Sequence, residues 1–148
     1  MTINDSKTRP MMEVAREGIF SSLQFKIDGS MILDLYAGSG SMGIEALSRG
    51  ARYTTFVELS DKCAAIIKKN LKNFECNFNI QQISADKYIS NAFDKFNIIF
   101  YDPPFNFEDS KVSKELLELE NLLEVNGTIV CHRPVSYTHL TLPTILRV

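Results

Sequence analysis

Met31-Ile32-Leu33-Asp34-Leu35-Tyr36 runs directly into Ala37-Gly38-Ser39-Gly40, and an amphipathic stretch over residues 41–49 follows. A short apolar run, closed by two glycines and succeeded by a helical period, is a strand–loop–helix unit. It constrains this chain more than any other feature. A buried strand that feeds a helix needs parallel neighbours, so the rest must supply strands alternating with helices. Candidates stand at the right intervals: residues 53–57, which end at Glu58, then residues 78–83, 97–101 and 128–131. Between them, Ser60 is expected to cap a helix reaching about Phe74, with Ala64, Ala65, Ile67 and Leu71 on its buried side. A short helix follows Ala85. A long one carries Leu116, Leu117, Leu119, Leu122 and Leu123 and stops at Asn126-Gly127. Ahead of the first strand, residues 11–23 fit one amphipathic helix within a slightly basic segment. The expectation is an α/β fold with about five mostly parallel strands.

Composition narrows the class. A chain of 148 residues with 45% hydrophobic side chains makes one domain with a real core. Sixteen Lys and Arg against 18 Asp and Glu give a net charge of -2, without the basic stripe usual in nucleic-acid binders. No segment has the length of a membrane span, and Met1-Thr2-Ile3-Asn4-Asp5 is not a signal peptide. Cys63, Cys76 and Cys131 show no CxxC spacing, and only His132 and His139 accompany them. Neither a disulfide framework nor a metal site is readable, so a reduced, cytoplasmic domain is expected.

Three segments carry chemistry. Gly38-Ser39-Gly40-Ser41-Met42-Gly43 satisfies G-x-G-x-x-G, and Glu58 ends the next strand 20 residues after Gly38. This suits a dinucleotide, a nucleoside-type methyl donor whose ribose hydroxyls bond Glu58, or a tight turn with no ligand. Asp34, four residues before Gly38, would repel a pyrophosphate but favour a cationic amino-acid group or a sulfonium. It could equally bond the N–H groups of its own loop. Tyr101-Asp102-Pro103-Pro104-Phe105 follows a central strand. Two prolines remove two N–H donors and stiffen the backbone, leaving carbonyls free to accept. Asp102 and the Pro103 carbonyl can each take one hydrogen of an exocyclic amine while Phe105 stacks on the ring. The bland alternative is a turn.

Asp102-Pro103-Pro104-Phe105 resembles the amine-methylating motif of S-adenosylmethionine-dependent methyltransferases. Thr8-Arg9-Pro10, Arg16-Glu17-Gly18-Ile19-Phe20, Leu33 to Gly40, Gly43 to Ala51 and Phe56-Val57-Glu58 occur in order with it. Together they resemble the bacterial 16S ribosomal RNA guanine-N2 methyltransferases, the small-subunit methyltransferase D family, over roughly residues 7–133. The resemblance implies a Rossmann-like methyltransferase sheet with S-adenosyl-L-methionine as cofactor. Asp34, Tyr36, Gly38, Ser39 and Gly40 would hold the donor's methionine part, Glu58 its ribose, and Leu59 and Asp86 its adenine. For Asp86, a helix N-cap is the competing role. Asp102, Pro103, Pro104 and Phe105 would hold the target guanine. Arg9 and Arg16 are candidates for the donor carboxylate or an RNA phosphate, with a solvated helix face the alternative for Arg16. The implied partner is 16S ribosomal RNA or an assembling small subunit, with the enzyme a monomer and no membrane involved. Other amine methyltransferases, acting on DNA adenine or protein glutamine, and an inactive donor-binding fragment are the rival readings.

The family pattern also has parts this chain lacks. A basic segment with paired strands precedes Thr-Arg-Pro in such enzymes, and their sheet ends in an antiparallel hairpin. Residues 1–134 therefore read as an incomplete methyltransferase domain, truncated at both ends. Residues 135–148 read as a non-native tail that lies loosely or adds at most one irregular strand.

Overall fold

The computed structural model describes residues 3–132 and 145–147, with side chains over 13–132 and at 145 and 146. Helix α1 (Ile3–Leu23) is followed by β1 (Met31–Leu35), α2 (Ser41–Ser48), β2 (Tyr53–Val57), α3 (Asp61–Leu71) and β3 (Phe78–Gln81). Then come α4 (Ala85–Asn91), β4 (Phe96–Tyr101), α5 (Asp109–Glu120), β5 (Leu123–Cys131) and β6 (Ile145–Arg147). The strands form one sheet in the order β3-β2-β1-β4-β5-β6. Every pairing is parallel.

Strand alternation sorts the apolar residues into two layers. Leu33 and Leu35 of β1 join Ile99 and Tyr101 of β4 against Val112, Leu116 and Leu119 of α5. Ile32, Ile98, Phe100 and Val130 point the other way, onto Ile19, Phe20 and Leu23 of α1 and Ala46 of α2. A smaller cluster of Phe56, Ile67 and Leu71 seats α3. The chain runs outward from β1 through β2 to β3, then crosses back to β4 on the other side of β1, so the strand order reverses there. In an open α/β sheet that reversal opens a crevice above the carboxyl ends of the two central strands.

Several elements differ from expectation at their ends. Helix α1 begins at Ile3, ahead of the apolar stripe that suggested residues 11–23. Helix α3 ends at Leu71 and β3 at Gln81, both short of the expected bounds. The largest difference concerns Asn126-Gly127, which does not stop a helix. Helix α5 has already ended at Glu120, and Leu123 opens β5. Asn126 takes a left-handed φ of 66° inside that strand, and the β4–β5 register slips between Phe96 and Ile98. The pair thus serves as an irregularity in a strand. Beyond the five strands read from the sequence a sixth forms, the one short strand that the tail was allowed. Ile145, Leu146 and Arg147 pair with Ile129, Val130 and Cys131, and Ile145 and Leu146 pack against opposite core layers. Residues 133–144 lie outside the described residues. Among the described residues no helix is long and apolar enough to cross a membrane.

Candidate functional site

The crevice is floored by the end of β1. Tyr36 leaves the strand with a φ of 59°, and Gly38 and Gly40 follow at 59° and 79°. The turn closes through Gly40 N–H to the Ala37 carbonyl (2.8 Å) and is tied to β2 by Ala37 N–H to the Val57 carbonyl (3.1 Å). At Gly40 the left-handed φ and the crowding combine: a Cβ would stand 2.9 Å from Ile67 Cγ1. Gly43, inside α2, is needed for close approach alone. A Cβ there would lie 2.4 Å from the Phe56 ring, 2.8 Å from Thr54 Cγ2 and 3.0 Å from Asp34 Oδ2. Gly43→Ala is therefore expected to cost about 1–3 kcal/mol, as overpacking does. A denaturant melt measures it, and an unchanged midpoint would show that α2 can lift off the sheet freely.

Asp34 is 4% exposed, and the one hydrogen bond to its carboxylate among the described residues comes from Gly43 N–H at 3.0 Å. Burial pushes its pKa up to about 8, the Gly43 bond opposes this, and the charges of Asp102 and Glu58 add to the rise. The Gly43 N–H belongs to α2 and not to the loop over residues 37–40, and one backbone N–H leaves the carboxylate largely uncompensated. Glu58 at the end of β2 is pinned by two backbone donors, Gly38 N–H to Oε1 (2.7 Å) and Ser60 N–H to Oε2 (2.9 Å).

Three neighbouring hollows lie along the crevice. One of about 300 Å³ is lined by Tyr36, Glu58, Leu59, Asp86, Pro104 and Phe107, among others. A second of about 60 Å³ holds Asp34, Tyr36, Ser41, Met42, Asp102 and His132. A third of about 310 Å³ opens between α1 and the Asp102 turn, with Glu13, Arg16, Met42, Asp102 and His132 on its walls. Tyr36 borders the first two, and Asp102 and His132 border the last two.

The placement of individual residues is uneven. Asp102 stands at the rim, and His132 Nδ1 lies 3.7 Å from its Oδ2. The surrounding protein raises the Asp102 carboxyl above the ordinary carboxylate range, and His132 opposes the rise. Pro103 is buried. The Pro104 carbonyl accepts from Phe107 N–H (3.1 Å), while no backbone bond to the Pro103 carbonyl occurs among the described residues. Phe105 is 95% exposed and borders none of the three hollows. Ser39 is exposed at the loop tip, and Arg16 faces the third hollow instead of open solvent alone. Arg9 lies in α1, but its side chain is outside the described residues. The cap position considered for Asp86 belongs to Ser84, whose Oγ accepts from Lys87 N–H at 3.2 Å. Asp86 instead pairs with Lys111 at 3.8 Å and faces the first hollow.

Sequence reasoning passed over Phe107, His132 and Glu115. Phe107 meets Tyr36 edge-on at 5.8 Å and carries Lys111 over its face at 4.1 Å. Glu115 had a usable signal: it is an acid within the apolar stripe of Val112, Leu116 and Leu119 on α5.

The family model described as Conserved hypothetical protein 95 matches residues 1–148. The chain belongs to this family. Among its relatives, the Haemophilus influenzae protein named ribosomal RNA small subunit methyltransferase D is 38% identical over 133 residues. That match covers 86% of this chain and 68% of the relative. The Escherichia coli K12 protein of the same name is 36% identical over 121 residues, covering 80% of this chain and 58% of that protein. A solved structure described as "Putative methyltransferase yhhF from Escherichia coli" superposes with a TM-score of 0.76 at 30% identity. It covers 86% of this chain and 73% of that one. The family member's sheet is thus the Rossmann-like sheet of methyltransferases.

Proposed function

We propose that this family member is an S-adenosylmethionine-dependent methyltransferase of ribosomal RNA, acting on the exocyclic N2 amine of a guanine in the small-subunit RNA. The observation that carries the reading is the row of three neighbouring hollows, which share Tyr36, Asp102 and His132 as walls and bring Glu58, Asp86, Asp34 and Asp102 to one crevice. The names of the family's relatives support methylation of small-subunit ribosomal RNA, and the choice of the guanine N2 amine rests on the Asp102 turn.

The residues present fit the donor. Asp34 is a buried carboxylate short of partners, and a cationic ammonium or sulfonium is the ligand such a group lacks. Glu58 is held rigid by Gly38 and Ser60 and still has acceptor capacity for ribose hydroxyls. Leu59, Phe107 and Asp86 offer two apolar walls and one acceptor to an adenine. Bound S-adenosylmethionine supplies an electrophilic methyl group on a positively charged sulfur.

The rest is positioning by this chain's own side chains. Asp102 and the Pro103 carbonyl accept the two amine hydrogens, which orients the nitrogen lone pair. The two stiff prolines keep the acceptors in place at no entropic cost during the reaction. A base must leave its stack to enter the hollow between α1 and Asp102, at a cost of a few kcal/mol. Arg16 on that wall suits the phosphate of the extruded nucleotide, and exposed Phe105 stands free to stack on a base or its neighbour. Asp102 takes up the proton that the methylated nitrogen sheds, which its raised pKa favours.

The decisive assay offers labelled donor with unmodified small-subunit RNA, assembling particles, duplex DNA and protein, followed by nucleoside analysis. Label in N2-methylguanosine supports the proposal. Label in adenine of DNA or in glutamine would replace it, and donor binding with no transfer would mark a binding fragment.

Asp102 must be ionised to accept the amine, so activity should fall as pH drops through its raised pKa. His132 holds that pKa down, and His132→Ala should move the acid limb of the kcat/KM profile to higher pH. A limb that stays in place would detach His132 from Asp102.

A further inference from the structure

We infer that Glu115 is a positioning residue that couples the donor pocket to the amine-binding turn, by anchoring one tyrosine from each. The inference rests on the proposed methyl-transfer reading. Glu115 is 3% exposed and projects from α5 beneath the crevice. Tyr36 Oη donates to it, at 3.0 Å from Oε1 and 2.9 Å from Oε2. Tyr101 Oη donates to Oε1 at 2.7 Å. These two tyrosines are neighbours: Tyr101 is in register with Leu35, the residue before Tyr36, and the rings of Tyr36 and Tyr101 lie 6.0 Å apart.

Their chain positions give the carboxylate its leverage. Tyr36 is the last residue before the glycine loop, and its left-handed φ of 59° costs a non-glycine residue conformational energy. It borders both the hollow of Glu58 and Asp86 and the hollow of Asp34 and Asp102. Tyr101 immediately precedes Asp102 and is fully buried. One carboxylate therefore restrains the start of the donor loop and the start of the acceptor turn. A buried acid is an expensive way to fill an apolar stripe, where leucine would do. Its partners are the two hydroxyls it orients and Asp86, which faces the first hollow.

The test separates positioning from plain stability with the full chain and four proteins: wild type, Glu115→Gln, Glu115→Leu, and Glu115→Leu combined with Tyr36→Phe and Tyr101→Phe. Glu115→Leu alone leaves two buried hydroxyls without acceptors and is expected to melt well below wild type. Removing the hydroxyls as well takes away that penalty, so the triple variant should melt near wild type. Calorimetric titration with S-adenosylhomocysteine then reads donor-site order without catalysis. The triple variant is expected to bind about tenfold more weakly or worse, the scale of losing one anchoring hydrogen bond to a charged group. Glu115→Gln, which keeps the shape and one acceptor, should bind within a few-fold of wild type. A triple variant that recovers both its melting temperature and wild-type affinity would reduce Glu115 to a structural role and overturn the inference. A wild-type protein that binds no donor would sink the methyl-transfer reading, and the inference with it.

Discussion

Asp102→Ala is expected to abolish methyl transfer while leaving donor affinity within a few-fold of wild type. Asp102 borders the hollow that opens toward α1 and the small hollow of Asp34, and is absent from the walls of the hollow of Glu58, Asp86 and Phe107, where most of the donor would lie. Its removal should therefore appear in the rate of transfer, with little change in donor binding. Loss of an oriented acceptor in such a site costs on the order of 100-fold to 1,000-fold in rate. Asp102 also raises the pKa of Asp34, so removing its charge eases the donor-side carboxylate slightly. Single-turnover transfer and a calorimetric donor titration on the same preparation check both halves. Donor affinity that collapses to the level of Glu58→Ala would mean that the two pockets have been interchanged.

The second large effect has opposite signs for stability and binding. Asp34 moves from an ordinary 3.8 to about 8 in the folded protein. Between those values the unfolded chain has released the proton and the folded chain still holds it, so stability falls as pH rises through the window. Asparagine keeps an acceptor for Gly43 N–H and cannot titrate. Asp34→Asn should thus stabilise the unliganded protein by on the order of 3 kcal/mol at pH 8. Each tenfold change in proton affinity is worth ~1.4 kcal/mol, and relaxation around the buried charge softens the sum. The advantage should vanish near pH 4. Donor affinity should fall by roughly 10- to 100-fold, because a charged acceptor has been neutralised. Denaturant melts across that pH range and a donor titration give the two readings. A variant that is less stable than wild type at pH 8 would show that Asp34 is already compensated without a ligand.

What was legible in the chain was local. Residues 31–43 announce β1, the glycine loop and α2 because each carries its signal within its own few residues. Ser60 caps α3 for the same reason, with its Oγ accepting from Cys63 N–H at 3.2 Å. Asn126-Gly127 misled because the pair favours a left-handed backbone, and that conformation serves a strand irregularity as well as a helix stop; only pairing with β4 decides. The three residues of β6 had no period to read, since a strand of that length is defined by its neighbour. Within the site, the acids at strand ends were visible from position alone. Glu115 and His132 were not, because their importance comes from partners on other elements: Tyr36 and Tyr101 for one, Asp102 for the other.

The placement of β4 beside β1 bears on how the protein assembles. The glycine loop and the Asp102 turn are joined through the Leu35–Tyr101 register, yet α2, β2, α3, β3 and α4 all intervene along the chain. Pairing across so long a loop carries an entropic penalty that is repaid only once the central sheet closes. The first βαβ unit, β1 through β2, needs no such closure and can form early from nearby residues. Folding should therefore produce the donor half of the crevice before the acceptor half. Refolding followed by pulse-labelled hydrogen exchange would show amides of β1 and β2 protected ahead of those of β4.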